Sequence, residues 1–245
     1  MIKAAIQYLT ELGIAPRERF VKEDDRLFSV NSNGVSQEIL PRITRADDVL
    51  RINTLSGLVG YVKANIERQG AQFYLQVYDE KTVLLKGILD SDGGRETLVQ
   101  ASAIVPRVEF DSYMDTENLI IALQSKFVLN TDSEILLQAI GNVKEENVKN
   151  TGDDGISQSI TIKTGITAVA EAKVPNPVTL APYRTFLEVA QPESAFVFRM
   201  KDGPRGAIFE ADGGAWRNQA ITNIREYLFT ELEEEVGYGR ITIIA

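Results

Sequence analysis

The sequence predicts an α+β fold, with mixed, mostly antiparallel sheets and several amphipathic helices. Apolar residues recur at helical spacing in five stretches and alternate with period two in several others, where strand follows strand as hairpins and a meander. Apolar residues at 44% and charged residues at 25% are the mixture of an ordinary folded protein, and 245 residues can bury one large core or two small ones.

Ile2, Ile6, Leu9 and Leu12 share one helical face, and Gly13 stands where a C-cap glycine ends such a helix. From Arg19 to Val30 the pattern alternates imperfectly around Phe20, Leu27 and Phe28. Asn31-Ser-Asn-Gly34 is a hairpin-type turn, and a return strand runs from Val35 to Leu40, stopped by Pro41. Leu55, Leu58, Val59, Val62 and Ile66 form the clearest helical stripe, begun near Thr54 and closed by Gly70. At Ala71 the period switches to two. Phe73, Leu75 and Val77, then Thr82 to Leu89 and Thr97 to Val105, form a three-stranded meander with turns at Asp79-Glu80 and Asp90-Ser-Asp-Gly-Gly94.

Glu109 to Met114 reads as extended. Asp115 or Thr116 then caps a helix carrying Leu119, Ile120 and Leu123 towards Phe127. Thr131-Asp-Ser-Glu134 has the form of a capping box opening onto Ile135, Leu136, Ala139, Ile140 and Val143. The polar stretch Lys144 to Gly155 is the place for an exposed, mobile insertion. It divides residues 1–148, an α+β region, from residues 149–245, a β-rich region ending in a helix and a strand, unless the whole is one continuous domain.

Ile156 to Ala170 is β-rich. Pro175, Pro177 and Pro182 exclude a regular central strand, so this segment is expected along an edge or over a surface before Thr185 to Ala190 pairs again. Ala195 to Met200 and Gly206 to Glu210 make a hairpin around Asp202-Gly-Pro204. Trp216, the only tryptophan, opens the last helix, whose apolar face is Ala220, Ile221, Ile224, Leu228 and Leu232. Glu231, Glu233, Glu234 and Glu235 fall in its last turn, where the macrodipole disfavours negative charge; they mark a frayed, solvated end or an acidic end that docks on a basic face of another subunit. The terminal Arg240-Ile-Thr-Ile-Ile-Ala245 is a strong strand that completes this chain's own sheet or adds to a neighbour's.

The chain has no cysteine and no histidine. That removes thiolate and Ser-His-Asp nucleophiles, zinc sites of His and Cys, and the usual near-neutral general base. A net charge of -9 repels phosphate backbones and anionic membranes, and no local basic run offsets it, so neither nucleic acid nor a membrane is expected as a partner. The N-terminal helix is not a secretory signal, and the expected location is cytoplasmic. Asp90 and Asp92 resemble the opening of a calcium loop, but Gly94 stands where a further oxygen ligand belongs, so a turn explains them better. Thr151-Gly-Asp-Asp-Gly155 and Asp212-Gly-Gly214 are turns first, and neither has the strand-to-helix context and the lysine of a glycine-rich phosphate loop. Phe73, Tyr74 and Tyr78 could stack bases, yet no cation lies among them.

Thr54-Leu-Ser-Gly-Leu-Val-Gly-Tyr-Val62 leading into a helix, and Val174-Pro-Asn-Pro-Val-Thr-Leu-Ala-Pro-Tyr-Arg-Thr-Phe186 followed by the Phe196-Val-Phe-Arg199 strand, resemble the YfdQ-like family of phage and prophage proteins. The similarity covers roughly Val49 to Leu232. It implies a phage-encoded intracellular protein with no catalytic residues to carry over. With no nucleophile-base pair and a sticky terminal strand, the expectation is a non-enzymatic, homo-oligomeric structural or interaction protein, without a cofactor. Its subunit contacts are expected at Ile2, Ile6, Leu9, Arg240, Ile241, Ile243 and Ile244, and other phage or host proteins are further candidate partners. The alternatives are a divalent-metal enzyme using Asp90, Asp92, Asp153 and Asp154, and a phage regulatory or DNA-metabolism accessory protein.

Overall fold

A computed structural model describes residues 7–8, 20–23, 26–30, 35–39, 45–67, 71–141, 159–164, 168–201, 203 and 205–245. They fall into two units, Met1–Arg45 and Ala46–Ala245. The division expected at 148/149 falls inside the second unit, at residues outside the described ones. Both cores of that unit draw residues from either side of it.

In the first unit, β1 (Phe20–Glu23), β2 (Arg26–Val30) and β3 (Ser36–Ile39) form an antiparallel sheet in that order. The single strand expected over residues 19–30 is therefore two, with Glu23 paired to Arg26. Asp24 and Asp25 separate them in sequence, and aspartate is poor in strands. By the pairing register Phe20, Leu27 and Ile39 share one face, and all three are exposed. Gln7 and Tyr8 are helical; Ile2, Ile6, Leu9 and the Asn31–Gly34 turn lie outside the described residues.

The second unit begins with β4 (Leu50–Ile52) and α1 (Leu55–Ala64). The Thr54 hydroxyl accepts the Gly57 N–H at 3.1 Å and starts α1 where expected. The helix stops well before Gly70, because Asn65 takes the left-handed conformation (φ 48°) and its N–H returns to the Tyr61 carbonyl. Ile66, which fits the helical stripe in sequence, is left 80% exposed.

The meander forms as β5 (Phe73–Asp79), β6 (Thr82–Gly87) and β7 (Thr97–Ser102), shorter at its ends than the apolar runs suggest. Two strands the meander does not announce join it in parallel: β4 beside β7 and the terminal strand beside β5. Phe73, Leu75, Val77, Val83, Leu85, Val99 and Ala101 share the first core with Leu55, Leu58, Val59 and Val62 of α1.

The second core lies under α2 (Thr116–Lys126) and α3 (Thr131–Gly141), with short strands β8 (Met114–Asp115) and β9 (Phe127–Val128). Asp115 caps α2 by accepting the Asn118 N–H at 2.9 Å, and the backbone and side-chain donors of Asn118 hold its carboxyl below the ordinary value. The box at α3 is set one residue earlier than expected. Asn130 Oδ1 accepts the Ser133 N–H, and the Ser133 hydroxyl accepts the Asn130 N–H, at 2.9 and 2.8 Å. Of Glu109 to Met114, only Met114 lies in a strand.

A hairpin of β10 (Ser159–Thr164) and β11 (Ala168–Lys173) occupies the β-rich stretch. The proline-rich segment then does what the sequence argued against. Its strand β12 (Val178–Pro182) lies inside a five-stranded antiparallel sheet, between β9 and β13 (Ser194–Lys201), with β14 (Arg205–Glu210) and β8 beyond. Pro175 and Pro177 precede the strand, and Pro182 closes it opposite Phe127, so no proline interrupts the ladder from within. Val178, Leu180, Phe196, Phe198 and Ile208 fill the core face.

The helix opened by Trp216 is α4 (Trp216–Glu231), whose Ile224 and Leu228 enter the first core. Leu232 breaks it, and α5 (Glu233–Gly237) follows. Glu233, Glu234 and Glu235 are therefore in a first turn, not a last one, where the peptide dipoles favour acids. Glu231 lies 3.7 Å from Lys63. The chain ends in β15 (Ile241–Ile244).

Candidate functional site

Residues 183–193, between β12 and β13, form a loop held by side chains and not the strand expected at Thr185 to Ala190. Gln191 Oε1 accepts the N–H groups of Arg184 and Thr185 at 2.9 and 3.2 Å, and its amide nitrogen donates to the carbonyls of Phe186 and Val189 at 2.9 and 3.2 Å. One glutamine thus satisfies the backbone groups a sheet would otherwise take. The loop also joins the two cores. Phe186 and Val189 enter the first core, the Thr185 hydroxyl donates to the Glu80 carbonyl at 2.5 Å, and Glu188 Oε1 accepts the Leu55 and Ser56 N–H groups at the start of α1.

Arg184 is the centre of a polar cluster. Its Nη1 meets Glu210 Oε1 at 3.1 Å, and its Nη2 donates to the Pro192 carbonyl at 3.1 Å and to the Ser194 hydroxyl at 2.6 Å. The guanidinium lies 3.9 Å from the centre of the Trp216 ring, and that of Arg217 lies 4.8 Å from it. Burial pushes the Arg184 guanidinium down to about 10, against the pull of Glu210 and Asp212, and it stays charged at neutral pH. Trp216 is placed by the turn before it. Asp212 accepts the Gly214 and Trp216 N–H groups, both at 3.0 Å, and Gly213 and Gly214 have φ of 63° and 84°, which favour glycine.

Arg184, Trp216 and Arg217 line a cleft of about 420 Å³ together with Glu80, Lys81, Arg107, Phe110, Pro182, Tyr183 and Glu210. Its wall carries four cations and two carboxylates. Glu210 serves Arg184. Glu80 alone serves both Lys81, at 4.0 Å, and Arg217, at 3.8 Å. Arg107 is exposed and has no ion-pair partner among the described residues. A chain of net charge -9 therefore holds a cleft with surplus positive charge.

The terminal strand offers a second feature. Ile241 is buried in the first core, Ile243 packs against it, Ile244 is half exposed, and the Arg240 guanidinium donates to the Val62 carbonyl. Phe73 donates its N–H to the Arg240 carbonyl at 2.9 Å. In a parallel ladder that register turns the N–H groups of Ile241 and Ile243 away from β5. No described strand pairs with that side.

Asp90 and Asp92 sit in a tight turn, in which Asp92 Oδ1 and the Asp90 N–H both engage Gly94 at 2.9 Å. Asp153 and Asp154 lie outside the described residues, and among the described residues no three acidic side chains gather as a metal site would require. Phe73 is buried and Tyr78 exposed, so they do not form one stacking surface. The sequence reading missed the Arg184 cluster. Its signals were a lone arginine in the apolar run Pro182-Tyr-Arg-Thr-Phe186 and a tryptophan opening a helix, but nothing local connects the two.

Fold and site together define an α+β protein whose larger unit holds two sheet-and-helix cores, a cationic cleft and a terminal strand at a sheet edge. No family model, no curated protein and no solved structure matches the chain. None of the described helices is long and apolar enough to cross a membrane.

Proposed function

We propose that this is a non-enzymatic interaction protein that associates with further copies of itself to form a homo-oligomer, edge strand against edge strand. The observation that carries this reading is the outer edge of β15. Its outward N–H and C=O groups form a ready template for another strand, and Ile241-Thr-Ile-Ile244 has none of the lysine or proline that usually guards such an edge. Two copies meeting there about a two-fold axis would pair β15 with β15 in antiparallel fashion and join two five-stranded sheets into one. The exposed apolar face of Phe20, Leu27 and Ile39 supports association as well. The phage or prophage setting, and with it the host cytoplasm as location, rests on the YfdQ-like resemblance of residues 49–232.

Light scattering of the full chain is expected to give a discrete mass of at least twice 27.1 kDa. Ile243→Pro removes an outward N–H and leaves the ladder to β5 its donors, so it should lower that mass while far-UV circular dichroism stays unchanged. A monomeric wild type contradicts the proposal, and a folded Ile243→Pro variant of undiminished mass contradicts the edge as the contact.

A further inference from the structure

We propose that the cleft at Arg217, Lys81 and Arg107 binds a small organic anion, a molecule carrying a phosphate or carboxylate group on an apolar ring. The cleft, at about 420 Å³, is within the size range of small-molecule sites and larger than a lone ion needs. Its charge selects the sign of the ligand. Lys81 and Arg217 share one carboxylate at the outer limit of an ion pair, and Arg107 has none among the described residues. A neutral apolar occupant would strip water from these cations and return nothing, whereas a phosphate or carboxylate offers each guanidinium a charge-assisted, forked contact.

The rest of the wall selects the body of the ligand. Pro106, Phe110, Pro182 and Tyr183 present apolar and aromatic surface beside the cations. Two nitrogens of wall residues are themselves buried from solvent. Arg184 Nε and Trp216 Nε1 belong to residues only 6% exposed, and neither has a hydrogen-bond partner. A polyanion such as nucleic acid fits less well, since the net charge of -9 repels it outside the cleft.

Trp216 is the only tryptophan, so its fluorescence reports on the cleft in the intact chain. Phenyl phosphate at low ionic strength should change that fluorescence saturably, with half-saturation at or below about 1 mM. Arg107→Gln and Arg217→Gln, at exposed or half-exposed positions outside both cores, should each weaken binding about tenfold, the loss of about one charge-assisted contact, without moving the melting temperature. Benzoate binding as well as phenyl phosphate would assign a carboxylate ligand, and a clear preference for phenyl phosphate a phosphate. Inorganic phosphate should bind more weakly than either, because it leaves the apolar wall unused. The proposal is overturned if no probe gives a saturable change, or if phenyl phosphate binds both variants as tightly as the wild type.

Discussion

Arg184→Ala is expected to destabilise the protein by about 3 kcal/mol, measured as a shift of the urea midpoint by circular dichroism. The side chain is 7% exposed and carries three polar contacts, to Glu210, Pro192 and Ser194, with its cation over the Trp216 ring. Truncation leaves a carboxylate, a carbonyl and a hydroxyl without their donor and opens a void beside the indole. Arg184→Met restores the volume and not the donors. Because the Glu210 side chain is 34% exposed and can turn to water, the methionine variant should lose clearly less than the alanine one. A change within about 0.5 kcal/mol for Arg184→Ala would remove Arg184 as the tie between β12, β13 and the start of α4.

Phe186→Ala, two residues on, should cost about 3–5 kcal/mol although it lies in a loop. Phe186 is 1% exposed and packed among the residues of the first core. Leu187, its neighbour, is 67% exposed, and Leu187→Ala should stay within about 0.5 kcal/mol of the wild type. The contrast between adjacent apolar residues tests whether the loop plugs into the core through one side chain. Equal effects at the two positions would mean that the loop is placed otherwise.

This loop also shows what the sequence could and could not convey. The α+β class, the meander and the starts of α1, α2 and α4 were legible, because each rests on a period or a cap written within a few neighbouring residues. Helix α1 ended early because Ile66 continues the apolar spacing while Asn65 reverses the backbone, and spacing alone does not register that reversal. Residues 185–190 look like a strand by composition and become a loop because a single side chain, Gln191, takes their hydrogen bonds. The prolines around β12 argued against an interior strand, yet they fall before it and at its last residue. Parallel partners such as β4 and β15 are set by chain segments far apart, and so is the meeting of Arg184 with Trp216. None of these has a local signature. The acidic run at 233–235 changed its meaning with one break at Leu232, from the unfavourable end of one helix to the favourable end of another.

The central claim is that the outer edge of β15 is the contact between copies. Amide hydrogen exchange at Ile243 tests it most directly, because that N–H points away from β5 while the Thr242 N–H points towards it. The account predicts that both amides are protected at high protein concentration and that Ile243 alone loses protection on dilution. Free exchange at Ile243 at every concentration, beside a protected Thr242, would contradict it.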